Sequence, residues 1–295
     1  MNSVHEVIAY QKANRIYDDF ITAIKSNNNE KIKNSTLIKI FDEIVKRGKE
    51  CENIIPKNTT LYRARIVKDF NQLPILQNPT YEDYFSGFDY EGSKEPPPQF
   101  TEEGRCNRKG MPLLYLAKCK YTACAEVKPE FTQIISLATF RTKRDIRIAD
   151  FCTDRRWASV AEYARSLNCE IGSLLTFVML QFTGSTGKFY DYTVSQYITD
   201  YFKNFDYRGI AYRSAQTGLA SYAIFLPYEH YIEFMDTKLI YTDRKQFHFV
   251  QYDNLERIGN DNYKEVADDI IKQEKIRIIR SRRISNGKTQ NDVDG

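Results

Sequence analysis

Four short islands of the chain hold most of its chemically competent side chains: LYRAR (61–65), GRCNRKGMPLLYLA (104–117), TACAEV (122–127) and GIAYRS (209–214), the last followed by SYAIF (221–225). Arginine dominates the first two. Guanidinium forks match phosphate oxygens bidentately and stay charged, so Arg105 with Arg63, or with Arg65 on the same strand face, suits an anionic ligand. Arg105 follows Gly104, where the backbone can turn tightly and come close to a ligand. Glu126 is the polar exception among Ala123, Ala125 and Val127. A carboxylate there could stabilise positive charge developing on a sugar, as in glycosidases, or be an ordinary helix glutamate on the surface. Tyr115 alternates with Leu114 and Leu116, which turns its ring to one face and theirs to the core, so it is a ligand-facing ring or a half-buried core tyrosine. Ser214 ends a strand with no histidine near it in sequence, so it is not read as a nucleophile. Asn107 serves equally to shape its turn or to touch a ligand.

Several chemistries lack their usual loops. The chain has no GxxxxGK[ST], no GxGxxG after a strand, no HExxH and no GxSxG. Its 6 cysteines include no CxxC pair, and its 3 histidines (5, 230 and 248) are scattered, so no metal site is expected. The cysteines read as reduced structural thiols of a cytoplasmic protein. With 295 residues, 42% hydrophobic and 28% charged, the chain has ample apolar material for a core. No apolar run approaches the roughly 18–20 residues of a membrane span, and no secretory signal is visible at the N-terminus. The net charge of +4 is uneven: residues 272–288 carry seven Lys/Arg against one Glu, leaving the rest slightly acidic. That basic tail is the one hint of nucleic-acid or anionic-lipid contact, and the plainer reading, a solvated helix end, is preferred.

The elements that must position these residues follow from periodicity. Val7, Tyr10, Ala13, Ile16, Tyr17, Phe20, Ile21 and Ile24 fall at helical steps, and after the polar break SNNNE a second stripe runs Leu37, Ile40, Phe41, Ile44 and Val45, with Ser35 or Thr36 as N-cap. These stripes are expected to pack on each other or on the main domain. Strands are expected at 60–67, 113–117, 133–140, 146–149, 209–212 and 222–226, with a β-rich stretch at 231–252. Helices are expected near 122, at 155–167, 193–204 and 262–281. Residues 68–100 read as a long loop of the kind that forms a binding loop or lid, and 171–182 is an apolar segment of undecided type. The order is α+β without regular βαβ alternation.

Taken in order and spacing, the islands resemble the RES family, named for its characteristic Arg, Glu and Ser. The resemblance covers about 59–227. It rests on Arg63, on the Gly-Arg-x-Asn turn with Arg105 and Asn107, on the Tyr-Leu-Ala strand with Tyr115, on Ala123 and Glu126, and on Gly-Ile-x-Tyr-x-Ser ending at Ser214. Gln196 matches a helix that precedes that last strand. Three positions depart from the pattern: Cys106 stands where a bulky aromatic is usual, Arg213 where a Pro is frequent, and Ser221 where an Asn is expected.

The resemblance implies an ADP-ribosyltransferase-like α+β fold, with a mixed or antiparallel β core and flanking helices at 59–230. Residues 1–58, an N-terminal helical extension, and 231–295, a β-rich extension with a basic helical tail, lie outside the resemblance. It implies NAD+ as substrate without a metal, and a toxin-like or defence activity that breaks the nicotinamide–ribose bond by hydrolysis or phosphorolysis. In that reading Glu126 stabilises the sugar cation, Arg63 and Arg105 hold phosphates, Tyr115 and Ser214 orient the nicotinamide ribose, and Asn107 lies in the binding loop. The preference for Arg63 over Arg65 comes from the resemblance. A cognate antitoxin or inhibitor protein is the implied partner, and a homodimer stays open. The alternatives are a protein mono-ADP-ribosyltransferase using the same residues, and a catalytically weak partner-binding module.

Overall fold

The computed structural model describes residues 4–48, 53–69, 73, 86–130, 133–152, 160–169, 171–183 and 191–241. Two compact units divide the chain, Ile8–Lys245 and Met1–Val7 with Gln246–Gly295, and every residue positioned around the site belongs to the first. The helix expected at 262–281 and the basic tail lie outside the described residues.

Three helices open the chain: α1 (Val4–Lys25), α2 (Asn29–Asn34) and α3 (Thr36–Arg47). The stripe of α1 buries Ala13, Tyr17, Phe20 and Ile24. The polar break contains a helix that periodicity missed. Asn28 caps α2, its side chain accepting from Lys31 N at 2.9 Å, and an asparagine-rich start that looks like a loop is also what a helix N-terminus selects. Ser35 caps α3 in the same way.

Eight strands form one sheet in the order β1-β5-β6-β7-β3-β2-β4-β8. They are β1 (Asn53–Ile55), β2 (Thr60–Ile66), β3 (Leu114–Ala117), β4 (Ile134–Thr142), β5 (Ile146–Asp150), β6 (Gly209–Arg213), β7 (Ala220–Ile224) and β8 (Ile232–Tyr241). All pairs are antiparallel except β5 with β6. A parallel pair needs a long crossover, and here it contains α6 (Ala161–Ser166), α7 (Ile171–Thr183) and α8 (Thr193–Lys203). The undecided segment at 171–182 is therefore a helix, burying Ile171, Leu174, Leu175, Val178 and Phe182 at helical intervals. A short helix, α4 (Tyr90–Ser93), and a 3-10 turn at Pro98–Phe100 occupy the stretch expected to be loop. Between β3 and β4 lies α5 (Lys120–Glu126).

The N-terminal helices pack with the crossover helices over one face of the sheet. Phe20, Ile40 and Phe41 join Phe151, Phe182, Ile198, Phe202 and Ile210 in a single apolar cluster. Each such side chain contributes roughly 1.5–3 kcal/mol by leaving water. Leu61, Leu114, Phe140, Ile148 and Tyr228 form the core on the other side. Gly209 is required for β6 to reach β7, because a Cβ there would lie 2.6 Å from Ala223 O.

Lys25 fastens the end of α1 to the approach of α8, its Nζ lying 2.8 Å from Asp191 Oδ2, while Thr193 N donates to Asp191 Oδ1 at 3.0 Å. The hydrogen bond from Lys25, then those from Thr193, hold this carboxyl down to about 2. An acid whose folded pKa is depressed stabilises the fold above its unfolded value of about 3.9, and that contribution disappears as the pH falls through the folded value. Thermal melts of Asp191→Asn between pH 2 and 7 should therefore show a flatter loss of stability from about pH 4 to about pH 2 than wild type.

Candidate functional site

The cleft lies where β2, β3, β6 and β7 meet α5 and the loop before β3, and has a volume of about 430 Å³. That is within the usual range for a small-molecule site. Arg63, Arg105, Tyr115, Glu126, Tyr212 and Ser221 are among its walls.

The loop at 104–107 is built so that little of it can move. Gly104 N donates to Asn107 O at 2.9 Å. Gln196, buried on α8, donates from Nε2 to Gly104 O at 3.0 Å and to Asn107 O at 2.9 Å. The Asn107 amide donates to Glu102 O and Arg108 O, and its Oδ1 accepts from the Tyr115 hydroxyl at 2.7 Å. That hydroxyl in turn accepts from Cys106 N at 3.2 Å. A Cβ on Gly104 would lie 2.7 Å from Asn107 Oδ1 and 3.1 Å from the Tyr115 hydroxyl, so only glycine fits this knot. Asn107 thus braces the loop and is not among the cleft walls, while Tyr115 offers the cleft its ring and commits its hydroxyl to the brace. Burial raises the Tyr115 and Tyr212 phenols well above their usual range. Cys106 fills the core behind the loop, and burial pushes its thiol up to about 12, which removes it as a nucleophile.

The purpose of this rigidity is Arg105. Its side chain is 5% exposed, and Nε and Nη2 have no hydrogen-bond partner among the described residues. Nη1 lies 3.7 Å from Glu126 Oε2, longer than a hydrogen bond, and the guanidinium carbon sits 5.6 Å from the Tyr212 ring centre.

Glu126 closes α5, which rests on β2 and β3 through the small side chains Ala64, Ala117 and Ala123. The Ser214 hydroxyl donates to Glu126 Oε1 and accepts from Gln216 N at 3.1 Å. Thr122 and Thr217 pair their hydroxyls at 3.0 Å, binding α5 to the turn after β6. Ser214 therefore meets Glu126 directly and is not itself among the cleft walls.

Arg63 and Arg65 diverge in their contacts. Both donate to the 92–94 backbone, Arg63 to Ser93 O and Lys94 O, Arg65 to Gly92 O. Arg63 also reaches the cleft, whereas Arg65 lies 5.2 Å from the Phe88 ring centre. Burial, then Arg65, lowers Arg63 to about 10, so it remains a cation at neutral pH. Arg213 turns elsewhere and donates to Cys152 O. Among the described residues, no cluster of metal-ligating side chains occurs, and no helix is long and apolar enough to cross a membrane.

Sequence reasoning left several walls without a role. Tyr212 belongs to the Gly-Ile-x-Tyr-x-Ser island but was given none. Tyr62 sits in the β2 alternation without a distinguishing signal, and nothing local marks Glu103 or Tyr192 as cleft residues. Gln196 matched a helix, but its contacts with the loop needed the crossover to bring residues 92 positions apart together.

A protein with this site belongs to the RES domain family, whose model matches residues 74–239. No curated protein matches. Among solved structures, a chain of the M. tuberculosis MbcT–MbcA toxin–antitoxin complex is similar to 70% of this chain over 92% of its own length, with 14% identity and a TM-score of 0.33. The two backbones diverge too far for any residue here to be read from that complex.

Replacing Gln196 by Met keeps the volume and removes both side-chain donors, leaving the Gly104 and Asn107 carbonyls only the N–H groups of each other's residues. Urea unfolding should show a loss of about 1–3 kcal/mol, with the cleft loop losing amide-exchange protection.

Proposed function

We propose that the cleft binds NAD+ and breaks its nicotinamide–ribose bond. The observation that carries this reading is the pairing of Glu126, held by Ser214, with a buried Arg105 whose Nε and Nη2 have no partner among the described residues. Membership of the RES family supports it.

The chemistry follows from the charges. As the N-glycosidic bond breaks, its electron pair leaves with nicotinamide, which departs neutral, and the ribose takes up the positive charge. The Glu126 carboxylate gains interaction as that charge appears, so it stabilises the transition state more than the ground state. The Ser214 O–H fixes the direction of Oε1 and is a positioning group rather than a nucleophile. Arg105 Nε and Nη2 present a fork suited to two phosphate oxygens. Arg63 adds a second cation on the β2 wall while its Nη1 holds the 93–94 backbone. The acceptor, whether water, inorganic phosphate or a protein side chain, adds through oxygen or nitrogen and releases its proton. A cytoplasmic toxin-like role restrained by an inhibitor protein fits this activity.

Chromatography with mass detection of NAD+ incubated with the purified protein, with and without phosphate, should show free nicotinamide with ADP-ribose or its 1″-phosphate. Intact NAD+ in both buffers and no labelled protein would refute the reading. Glu126→Gln should lower kcat at least about 100-fold, the order expected for removing one electrostatic stabiliser. Arg105→Lys keeps the charge but loses the fork and should act mainly through KM, by about 10-fold or more.

A further inference from the structure

Two residues place buried side-chain donors on the cleft without any partner among the described residues: Arg105, and Ser221 on β7. Ser221 is 2% exposed. Its backbone pairs with Tyr212 on one side and Ala117 on the other, and both of these also line the cleft. The hydroxyl therefore stands on the floor of the cleft between Tyr212 and Ala117, with no oxygen or nitrogen of the described residues to satisfy it. Native proteins rarely leave a buried hydroxyl in this state, since its desolvation is then uncompensated. A small alanine at this place would cost the empty fold nothing.

We infer that Ser221 is a further ligand-binding and specificity-determining residue, whose hydroxyl takes one neutral hydrogen bond from the bound dinucleotide. The inference rests on the reading of the cleft as an NAD+ site. The partner is an uncharged amide or hydroxyl: Ser221 is flanked by Tyr212 and Ala117, and the cations suited to anionic oxygens are Arg105 on the loop and Arg63 on β2. Two parts of the ligand carry such groups, the nicotinamide carboxamide and the ribose hydroxyls. A site built to bond a polar group discriminates against ligands that leave it unpaired much more strongly than an apolar pocket does.

The test combines stability with binding in Ser221→Ala and Ser221→Thr. The empty Ser221→Ala protein should melt at the wild-type temperature or above, because an unsatisfied buried hydroxyl has been removed. Its affinity for NAD+, measured by calorimetry, should fall about 10-fold or more, and Ser221→Thr, which keeps the hydroxyl, should recover most of it. ADP-ribose serves as the second probe: a loss confined to NAD+ assigns the hydroxyl to the carboxamide, and an equal loss on both assigns it to a ribose. Unchanged affinity for both ligands in Ser221→Ala, or a lower melting temperature of the empty protein, overturns the inference. Wild-type protein that neither binds nor consumes NAD+ overturns the reading beneath it, and that result is obtained before any variant is made.

Discussion

A guanidinium withdrawn from water has to be compensated, and in Arg105 the compensation is deliberately incomplete. Glu126 supplies opposite charge at 3.7 Å and Tyr212 a π face, yet two guanidinium nitrogens have no partner among the described residues. Burying an ion with partial pairing costs several kcal/mol, and the loop would relieve that cost by turning Arg105 outward if it could. It is prevented by Gln196, Asn107 and the Tyr115 hydroxyl, which together hold the turn at Gly104, Cys106 and Asn107. The fold thus spends ordinary hydrogen bonds to keep one unfavourable side chain in place, as strained functional sites commonly do.

The carboxylate opposite is held by an independent set of contacts. Glu126 sits at the end of a seven-residue helix that could not persist alone. The helix survives because its small residues lie flat on β2 and β3 and because Thr122 and Ser214 tie it to the turn after β6. Charge and counter-charge therefore flank β3 in the chain, one held by the braced loop before the strand and the other by the helix after it.

Much of this was legible in the residues themselves. Alternation in LYRAR and PLLYLA and the period in the N-terminal stripe gave elements close to those observed, because each has one buried face. The short strand β1 and the capped helix α2 escaped, since three and six residues carry too little periodicity, and α2 begins in asparagines that also favour turns. At the site, residue type singled out Arg105 and Glu126. It could not reveal that Asn107 and the Tyr115 hydroxyl are consumed in bracing the loop, nor that Ser214 faces Glu126 across 88 residues of sequence. Those facts depend on long-range pairing, which local pattern does not encode. Ser221 stood out in sequence as a departure from the Asn the resemblance expects, bearing on how a ribose or phosphate is held, and its unmatched hydroxyl is visible only in the fold.

Strand β2 sits between β3 and β4 in the middle of the sheet, yet it precedes residue 74, where the family match begins. A polypeptide cut at that boundary would keep β3 and β4 but leave each with a bare edge facing a gap, and α5 would lose Ala64 beneath it. Paired open edges of this kind invite strand addition from other chains. The unit that must be inherited, expressed or transplanted whole is therefore longer than the stretch by which the family is recognised.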